Sequence, residues 1–305
     1  MSDLILHHYP MSPFSEKIRS MLGYTQLRWQ SAITREMPSR PILKALAGGY
    51  RKIPVAQIGS DIFCDSKTIA AEISALSGKP DLALENCNEE IRAYVSDVEL
   101  NIFMASSISA GTKALGRKIL RSMSLLDIAR FTWDRVDIGR KASVKSSGLR
   151  NPKQLVLRHL SRMEEMLKKD FLFGMQPSHA DFSTYHCLWF IRDLGESRMI
   201  NDFPKTIEWM NRMKAFGHGR RMEIDGERAL TIAKGSTPRK IAAENRSGPL
   251  IGKKVYVSPS DYAQVPTSGI LVGATPTQWV LAREEKALGT LNVHFPRVGF
   301  RLGEA

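Results

Sequence analysis

Short apolar runs alternate with helix-like periodicity along roughly the first eighty residues. β-prone apolar runs predict strands at residues 4–9, 27–32, 52–58 and 61–64. Apolar positions three and four apart predict helices at residues 14–23, 42–47 and 65–76. The order β-α-β-α-β-β-α predicts an α/β domain over residues 1–80, with a mixed four-stranded sheet flanked by helices.

The pattern then becomes helical. A polar, proline-containing stretch at residues 80–88 predicts a linker, and no strand pattern follows it until about residue 217. Helical periodicity predicts helices at residues 89–115, 125–138, 152–169, 181–194 and 204–216. Several consecutive helices with short connections predict an all-α domain, which we bound at residues 88–234.

The last part of the chain changes pattern again, after a polar linker at residues 235–248. Glycine and proline separate short β-like runs at residues 253–257, 269–272, 279–283, 290–295 and 299–302. This spacing predicts a small all-β domain over residues 250–305, as a sandwich or barrel. So short a domain rarely buries enough apolar surface to be stable alone, so we expect it to pack on its own subunit or across a dimer.

Composition narrows the function classes. Hydrophobic residues make up 43% of the 305 residues and charged residues 25%, which is typical of a folded soluble protein. No apolar run reaches the roughly 18 residues that a membrane span needs, so we expect no membrane partner. No basic segment followed by an apolar stretch marks a signal peptide. Three cysteines without a CxxC pair favour a reducing, cytoplasmic location.

The net charge of +13 raises the question of an anionic partner. Lysine and arginine are dense between residues 117 and 169, but acidic residues are interleaved and no nucleic-acid motif is present. We therefore predict a solvated basic face or a site that attracts anions, and no nucleic-acid partner. The histidines show no metal-ligand spacing, and His7 and His8 would point to opposite faces of a strand, so no metal is expected.

A first candidate for chemistry lies between the first strand and the first helix. Ser12 and Ser15 stand where a helix begins, beside free backbone N–H groups and the positive end of the helix dipole. A hydroxyl there can donate a hydrogen bond to a bound thiolate and lower the pKa of a ligand thiol. The alternative is that both serines only cap the helix.

Two further candidates follow. Pro54 opens a predicted strand, and if the Ile53–Pro54 bond is cis, the N–H and C=O of Ile53 can face a ligand backbone. The alternative is an ordinary edge-strand proline. Asp65 and Ser66 begin the third helix, where exposed N–H groups suit a carboxylate, although capping alone also explains them.

The ordered set of these motifs resembles the glutathione S-transferase superfamily over roughly residues 3–220. The matching pieces are residues 12–19, 52–54 and 65–66, a capping-box segment at 171–183 with Ser178 and Asp181, and a late helix at 203–210. The resemblance implies a thioredoxin-like N-terminal domain and an all-helical second domain. Three segments depart from the family pattern: residues 48–51, the basic stretch 117–149 with Trp133, and the β-rich tail.

The resemblance also implies roles for single residues. Ser12 occupies the position of the hydroxyl that stabilises the glutathione thiolate in serine-type members, and of the nucleophile in cysteine-type members. Tyr9 is a less favoured alternative for this role and Ser15 a weaker one. The implied glutathione-binding residues are Phe14, Lys52 for the glycyl carboxylate, Ile53 and Pro54 for the cysteinyl backbone, and Asp65 and Ser66 for the γ-glutamyl ammonium and carboxylate.

Two classes of function remain after this. The first is a homodimeric glutathione S-transferase-like enzyme with glutathione as co-substrate, acting on a small hydrophobic electrophile or in thiol-dependent reduction or isomerisation. The second is a non-catalytic binding or interaction module with the tail as its partner surface. Cys64 is predicted to be structural rather than a redox thiol, because the charge of Asp65 raises its pKa. His294 and Arg297 either serve a purpose or are surface and turn residues of the tail.

Overall fold

The structure is a computed structural model that describes residues 3–122, 128 and 151–305. Its strands are β1 (Leu4–His8), β2 (Arg28–Ile33), β3 (Val55–Ile58), β4 (Asp61–Cys64), β5 (Arg220–Ile224), β6 (Lys254–Pro259), β7 (Thr267–Ala274), β8 (Gln278–Glu285), β9 (Gly289–Pro296) and β10 (Phe300–Glu304). Its α-helices are α1 (Pro13–Thr25), α2 (Pro41–Ala47), α3 (Ser66–Ser77), α4 (Glu89–Asp97), α5 (Phe103–Ser109), α6 (Lys113–Ser122), α7 (Pro152–Met166), α8 (His179–Trp189), α9 (Pro204–Ala215) and α10 (Gly226–Lys234).

The N-terminal unit has the predicted mixed sheet, in the order β4-β3-β1-β2. β1 runs parallel to β2 and antiparallel to β3, and β3 runs antiparallel to β4. Alternate residues of β1 enter different cores: Leu4 and Leu6 pack in the core shared with α1 and α3, and Ile5 packs with Ala229 of α10. The thioredoxin-like fold predicted for this part of the chain is confirmed.

The helical region differs from the prediction in its details. The predicted helix 89–115 is divided into α4, a π-helical turn at Val98–Ile102, and α5, which ends at Ser109. α6 starts four residues later, and the Thr112 hydroxyl accepts a hydrogen bond from the Leu115 N–H at 3.2 Å, as an N-cap does. The predicted helix 125–138 lies outside the described residues, apart from residue 128. The other three predicted helices correspond to α7, α8 and α9.

The chain returns to the N-terminal sheet earlier than the sequence pattern predicts. β5 pairs parallel with the edge strand β2, and α10 then packs against α2 and β2. Residues 220–224 therefore form a strand inside the stretch predicted to be all-helical up to residue 234. β5 has an Arg-Arg-Met-Glu-Ile sequence with its first four residues exposed, so no alternation of apolar and polar positions marks it as a strand.

The β-rich tail is part of the same sheet. β9 pairs parallel with β4, with Asp61 opposite Asn292, and the strand order is β10-β6-β7-β8-β9-β4-β3-β1-β2-β5. The tail is therefore a sheet extension, and the expected separate sandwich or barrel is wrong. The tail packs on its own chain, which is one of the two arrangements expected from the sequence. Its apolar face shares a core with the N-terminal unit, formed by Leu43, Leu46, Tyr50, Val55, Ile62, Val255, Val257, Leu271, Leu281, Val293 and Phe295.

Candidate active site

The pairing register of the sheet brings the three predicted motifs to the same end of its strands. His7 of β1 lies opposite Val55 of β3, and Val55 lies opposite Cys64 of β4. The turn after β1, the residues before β3 and the residues after β4 therefore leave the sheet at the same end. This places the Ser12 turn, the Ile53–Pro54 pair and Asp65 around one site.

Ser12 is the N-cap of α1 and is buried. Its Oγ accepts a hydrogen bond from the Ser15 N–H at 3.2 Å, so the capping interpretation is correct. A hydroxyl both accepts and donates, and capping uses only a lone pair of its oxygen. The hydroxyl hydrogen is still able to point at a ligand. The buried Ser15 Oγ has no hydrogen-bond partner among the described residues.

The other two motifs also have the predicted local geometry. The Ile53–Pro54 bond is cis, as expected. Asp65 is the N-cap of α3, with a backbone φ of 80° in the left-handed region, and its carboxylate accepts the Lys67 N–H at 3.0 Å. Ser66 begins that helix and is buried. Their contacts with glutathione stay predictions.

Phe14 packs against the helical region. Its ring centroid lies 4.7 Å from that of Phe103 and 4.9 Å from that of His186. Burial, with the charge of Lys17, lowers the pKa of His186 to about 3, so this ring is neutral. The structure therefore places the Phe14 side chain at the junction of the two regions, and its predicted contact with glutathione stays a prediction.

A buried ionic cluster next to the site was not predicted. The Lys17 ammonium of α1 lies 2.6 Å from the Glu99 carboxylate and 2.8 Å from Nε2 of His179, and Lys67 of α3 lies 3.7 Å from Glu99. His179 Nδ1 faces the Leu82 carbonyl at 2.7 Å, so this nitrogen carries the hydrogen and Nε2 accepts from Lys17.

The cluster fixes the charges of its members. Burial alone would raise the pKa of the Glu99 carboxyl, but the charges of Lys17 and Lys67 hold it well below its usual range. The sequence did carry a signal for Glu99: it lies four residues after Val95 and three before Ile102, on the apolar face of its predicted helix. A charge on such a face points to a buried partner.

Lys52 forms an ion pair with a residue of the β-rich tail. Its Nζ lies 2.6 and 2.8 Å from the two carboxylate oxygens of Asp261, and 4.1 Å from the ring centroid of Tyr262. Both residues lie in the loop between β6 and β7. The residue predicted to bind the glycyl carboxylate of glutathione is therefore paired with a carboxylate of its own chain.

The tail packs closely against the segment before Pro54. A Cβ added to Gly49 would lie 2.1 Å from the Pro266 carbonyl oxygen, so only glycine allows this approach. The Thr267 hydroxyl donates to the Ala47 carbonyl at 2.8 Å. Tyr50 packs against Phe300 of β10 at 6.2 Å between ring centroids, and burial raises the pKa of Tyr50 well above its usual value.

A second polar contact joins the tail to the sheet. His294 is buried, and its Nε2 lies 2.8 Å from the Asp61 carboxylate, which also accepts the Arg239 N–H at 2.9 Å. Burial would raise the pKa of the Asp61 carboxyl, but these partners lower it. His294 therefore serves a purpose in the β4–β9 junction, whereas Arg297 lies over the Trp279 ring.

The surroundings of the cysteine thiols support a structural role. Burial raises the pKa of the Cys64 thiol well above its usual value and Asp65 adds to this, which supports a structural role. All three cysteines are buried and free. Across the described ranges, no cluster of potential metal ligands occurs. Within the same ranges, none of the helices combines the length and apolar character of a membrane span.

A cavity of about 350 Å³ lies beside α1. It is lined by His8, Pro10, Glu16, Arg19, Ser20, Tyr185, Trp189, Met213, Lys214, Gly217, His218 and Arg221. Three of its lining residues pair with one another: Arg19 bonds Glu16 at 2.7 Å, and Glu16 faces His218 at 3.1 Å. This cavity does not include Ser12, Ile53 or Asp65.

Comparison with known proteins identifies the family. The family model described as "Glutathione S-transferase, N-terminal domain" matches residues 6–81, and the model described as "Glutathione S-transferase, C-terminal domain" matches residues 145–216. A solved structure of a GST-like protein from Pseudomonas syringae is 30% identical, with a TM-score of 0.78, over 99% of this chain and 100% of that chain. The chain belongs to the glutathione S-transferase family. A search of the curated proteins returns no match.

The comparisons also separate the common fold from the tail of this transferase-family protein. A glutathione transferase family member from Pseudomonas fluorescens, solved with two glutathione bound, is 14% identical with a TM-score of 0.50, and shows the fold alone. That match covers 70% of this chain and 89% of that chain, whereas the Pseudomonas syringae match covers nearly all of both. The tail is therefore shared with the Pseudomonas syringae relative.

Proposed function

We propose that this glutathione S-transferase family protein is an enzyme that binds glutathione and activates its thiol. The observation that carries the proposal is the buried N-cap Ser12, whose hydroxyl hydrogen is still able to donate. Ser12 lies at the same end of the sheet as Ile53 and Asp65. The helix dipole and a donated hydrogen bond both favour a thiolate over a thiol. The activated thiolate would attack a small hydrophobic electrophile or take part in a thiol-dependent reduction or isomerisation.

The remaining predicted residues would hold the tripeptide. In this proposal the Ile53 backbone, next to Pro54, bonds the cysteinyl unit. Asp65 binds the γ-glutamyl ammonium, and Ser66 with its neighbouring N–H groups binds the carboxylate. Phe14 fixes the start of α1 against the helical region, which supports the position of Ser12.

We also propose a cytoplasmic homodimer. Three free, buried cysteines support a reducing compartment. Leu100, Met104 and Ile108 support a dimer, because they follow one another at four-residue spacing and are 48%, 42% and 54% exposed. An exposed apolar stripe of this kind is typical of an interaction surface.

The test is Ser12→Ala beside Ser12→Thr, which keeps both the hydroxyl and the cap. We expect Ser12→Ala to lower kcat/KM for conjugation of chlorodinitrobenzene about 100-fold, and Ser12→Thr to retain most of it. Glutathione affinity should change little. The pH dependence of thiolate absorbance in the complex should show a raised pKa for the bound thiol in the alanine variant.

The rival assignment is tested in the same assay. Tyr9→Phe should leave both the rate and the pKa of the bound thiol unchanged. If Tyr9→Phe abolishes conjugation and Ser12→Ala is silent, Ser12 is the wrong group. A melting curve of each variant separates lost catalysis from lost capping, which costs about 1 kcal/mol.

A second candidate is the non-catalytic interaction module. The Lys52–Asp261 pair favours it, since an anchor predicted for glutathione is already occupied by the tail. Binding of the full chain to glutathione, measured by calorimetry, distinguishes the two. A chain that folds but binds no glutathione would support the module.

A further inference from the structure

The loop between β6 and β7 places a carboxylate at the candidate glutathione site. Asp261 contacts Lys52 through both of its oxygens, and the Lys52 side chain is only 11% exposed. Lys52 directly precedes Ile53, whose backbone the proposed function assigns to the cysteinyl unit. The one lysine next to this anchor thus already has a carboxylate partner.

The loop is held in this position by the tail. Gln264 Nε2 donates to the carbonyls of Ser260 and Asp261 at 3.2 and 3.1 Å, which closes the turn that carries Asp261. The close approach of Pro266 to Gly49 fixes the far end of the loop. Asp261 is therefore presented by an ordered turn between two paired strands.

The charge of Asp261 also acts on Lys67, a second lysine near the site. The pKa of Lys67, in the first turn of α3, is raised. Burial would lower this pKa, but the negative charges of Glu99, Asp65 and Asp261 outweigh burial. Asp65 and Asp261 thus influence the same lysine.

We propose that Asp261 is a specificity-determining residue that removes the preference of the site for a free glycyl carboxylate. This inference rests on the proposed function. A ligand carboxylate at Lys52 must either share the lysine with Asp261 or displace it, and the cost of either offsets the binding free energy that the lysine would otherwise give. A γ-glutamyl-cysteinyl thiol whose carboxyl end is neutral neither gains nor loses at Lys52, so it binds about as tightly as one with a free carboxylate. The substrate class is therefore γ-glutamyl-cysteinyl thiols in general, without selection for glycine.

The experiment measures three ligands by calorimetry: glutathione, glutathione ethyl ester blocked at the glycyl carboxylate, and γ-glutamylcysteine. The full chain is compared with Asp261→Asn and with a matched control, Asp202→Asn, which removes an exposed charge elsewhere. We expect the original chain to bind glutathione and its ester within about twofold of each other. Asp261→Asn should bind glutathione about tenfold more tightly and the ester unchanged.

A second variant makes the assignment specific. Adding Lys52→Gln to Asp261→Asn should return glutathione to the affinity of the ester, because the freed lysine is the source of the gain. The control Asp202→Asn should leave all three affinities unchanged.

The outcomes separate this inference from the proposed function. If glutathione binds but Asp261→Asn leaves the ratio of glutathione to ester unchanged, the inference is wrong and the proposed function stands. A strong preference of the original chain for glutathione over the ester has the same meaning. If every folded variant binds none of the three thiols, the proposed function is wrong and the inference falls with it.

Discussion

The thioredoxin-like unit is joined to the helical region and to the β-rich tail by two different kinds of interface. On the helical side, α1 contributes Phe14 and a buried Lys17, which contacts Glu99 and His179. On the tail side, β4 extends its hydrogen bonds into β9 and shares an apolar core with it. The first interface is an apolar core that encloses a small group of paired charges, whereas the second adds the continuous hydrogen bonding of the sheet to a shared apolar core.

This difference predicts how each interface fails. A buried ion pair adds little net stability but leaves an expensive lone charge when one partner is removed. A shared sheet and core lose stability in proportion to the apolar surface that becomes exposed. Single substitutions should therefore act most strongly on the helical side, and deletions on the tail side.

The largest effect is expected from removing the tail after residue 249. This uncovers the β4 edge and the apolar core around Tyr50, Val55 and Ile62. The lost burial should exceed the net stability of roughly 5–15 kcal/mol of a typical domain, so the protein should lose cooperative unfolding and aggregate. Thermal unfolding and light scattering measure this. Deletion of residues 303–305 is the control, and a truncated chain that melts like the original one contradicts the integrated role of the tail.

The next effect is expected from Glu99→Gln. It leaves the fully buried Lys17 without its carboxylate and should cost about 3–5 kcal/mol in the free energy of unfolding. Lys17→Met together with Glu99→Gln should recover much of the loss, because the fully buried ammonium is removed as well. Urea unfolding of the single and double variants forms the cycle. Strictly additive effects would show that the pair is not coupled.

The same pair predicts a pH dependence. The pKa of Glu99 lies below its ordinary value of 4.5 in the folded chain, so its stabilising contribution is complete above that pH. It is lost as the pH falls through the folded pKa. Urea unfolding between neutral and acidic pH should therefore show an acid-side fall in stability that is smaller in Glu99→Gln. Identical pH profiles would argue against a depressed pKa.

A smaller effect is expected from His294→Phe at the β4–β9 junction. It removes the donor to the buried Asp61 but leaves the Arg239 N–H in place and preserves an aromatic ring beside Phe63. The expected cost is about 1–3 kcal/mol. Asp61→Asn in the same background tests the partner, since it should add little more. A neutral His294→Phe would mean that Arg239 alone satisfies Asp61.

The smallest effect on stability is expected from Leu100→Glu, at an exposed position of the apolar stripe. Unfolding should change by no more than about 0.5 kcal/mol. The mass measured by light scattering should instead fall from dimer to monomer. Glu90→Gln, on an exposed helix position outside the stripe, is the control. A variant that stays dimeric excludes the stripe as the dimer surface.

Local patterns account for the parts of the fold that the sequence predicted well. The strands of the tail were found because glycine and proline bound short β-prone runs such as residues 290–295. The cap at Ser12 and the capping box at Asp181 were found because their positions relative to a helix start are fixed. In the structure Asp181 accepts the Ser178 N–H and the Leu172 N–H, both at 2.9 Å.

Long-range pairing accounts for what was missed. No local sequence pattern indicates that β4 pairs with β9, or that the exposed strand β5 pairs with β2. The Lys52–Asp261 pair joins residues that lie about two hundred positions apart, so neither motif alone could indicate it. Such contacts depend on the packing of whole elements, which the periodicity of one segment does not describe.

The position of β5 and β9 at the two sides of the first sheet has a consequence for synthesis. β1 to β4 leave the ribosome first, but their outer neighbours follow roughly two hundred residues later, with Arg28 opposite Arg220 and Asp61 opposite Asn292. Until then both margins of the nascent sheet are open to pairing with other chains. Contacts so distant in sequence also form slowly. The growing chain is therefore most open to wrong strand pairing in the interval between the synthesis of β4 and that of β9.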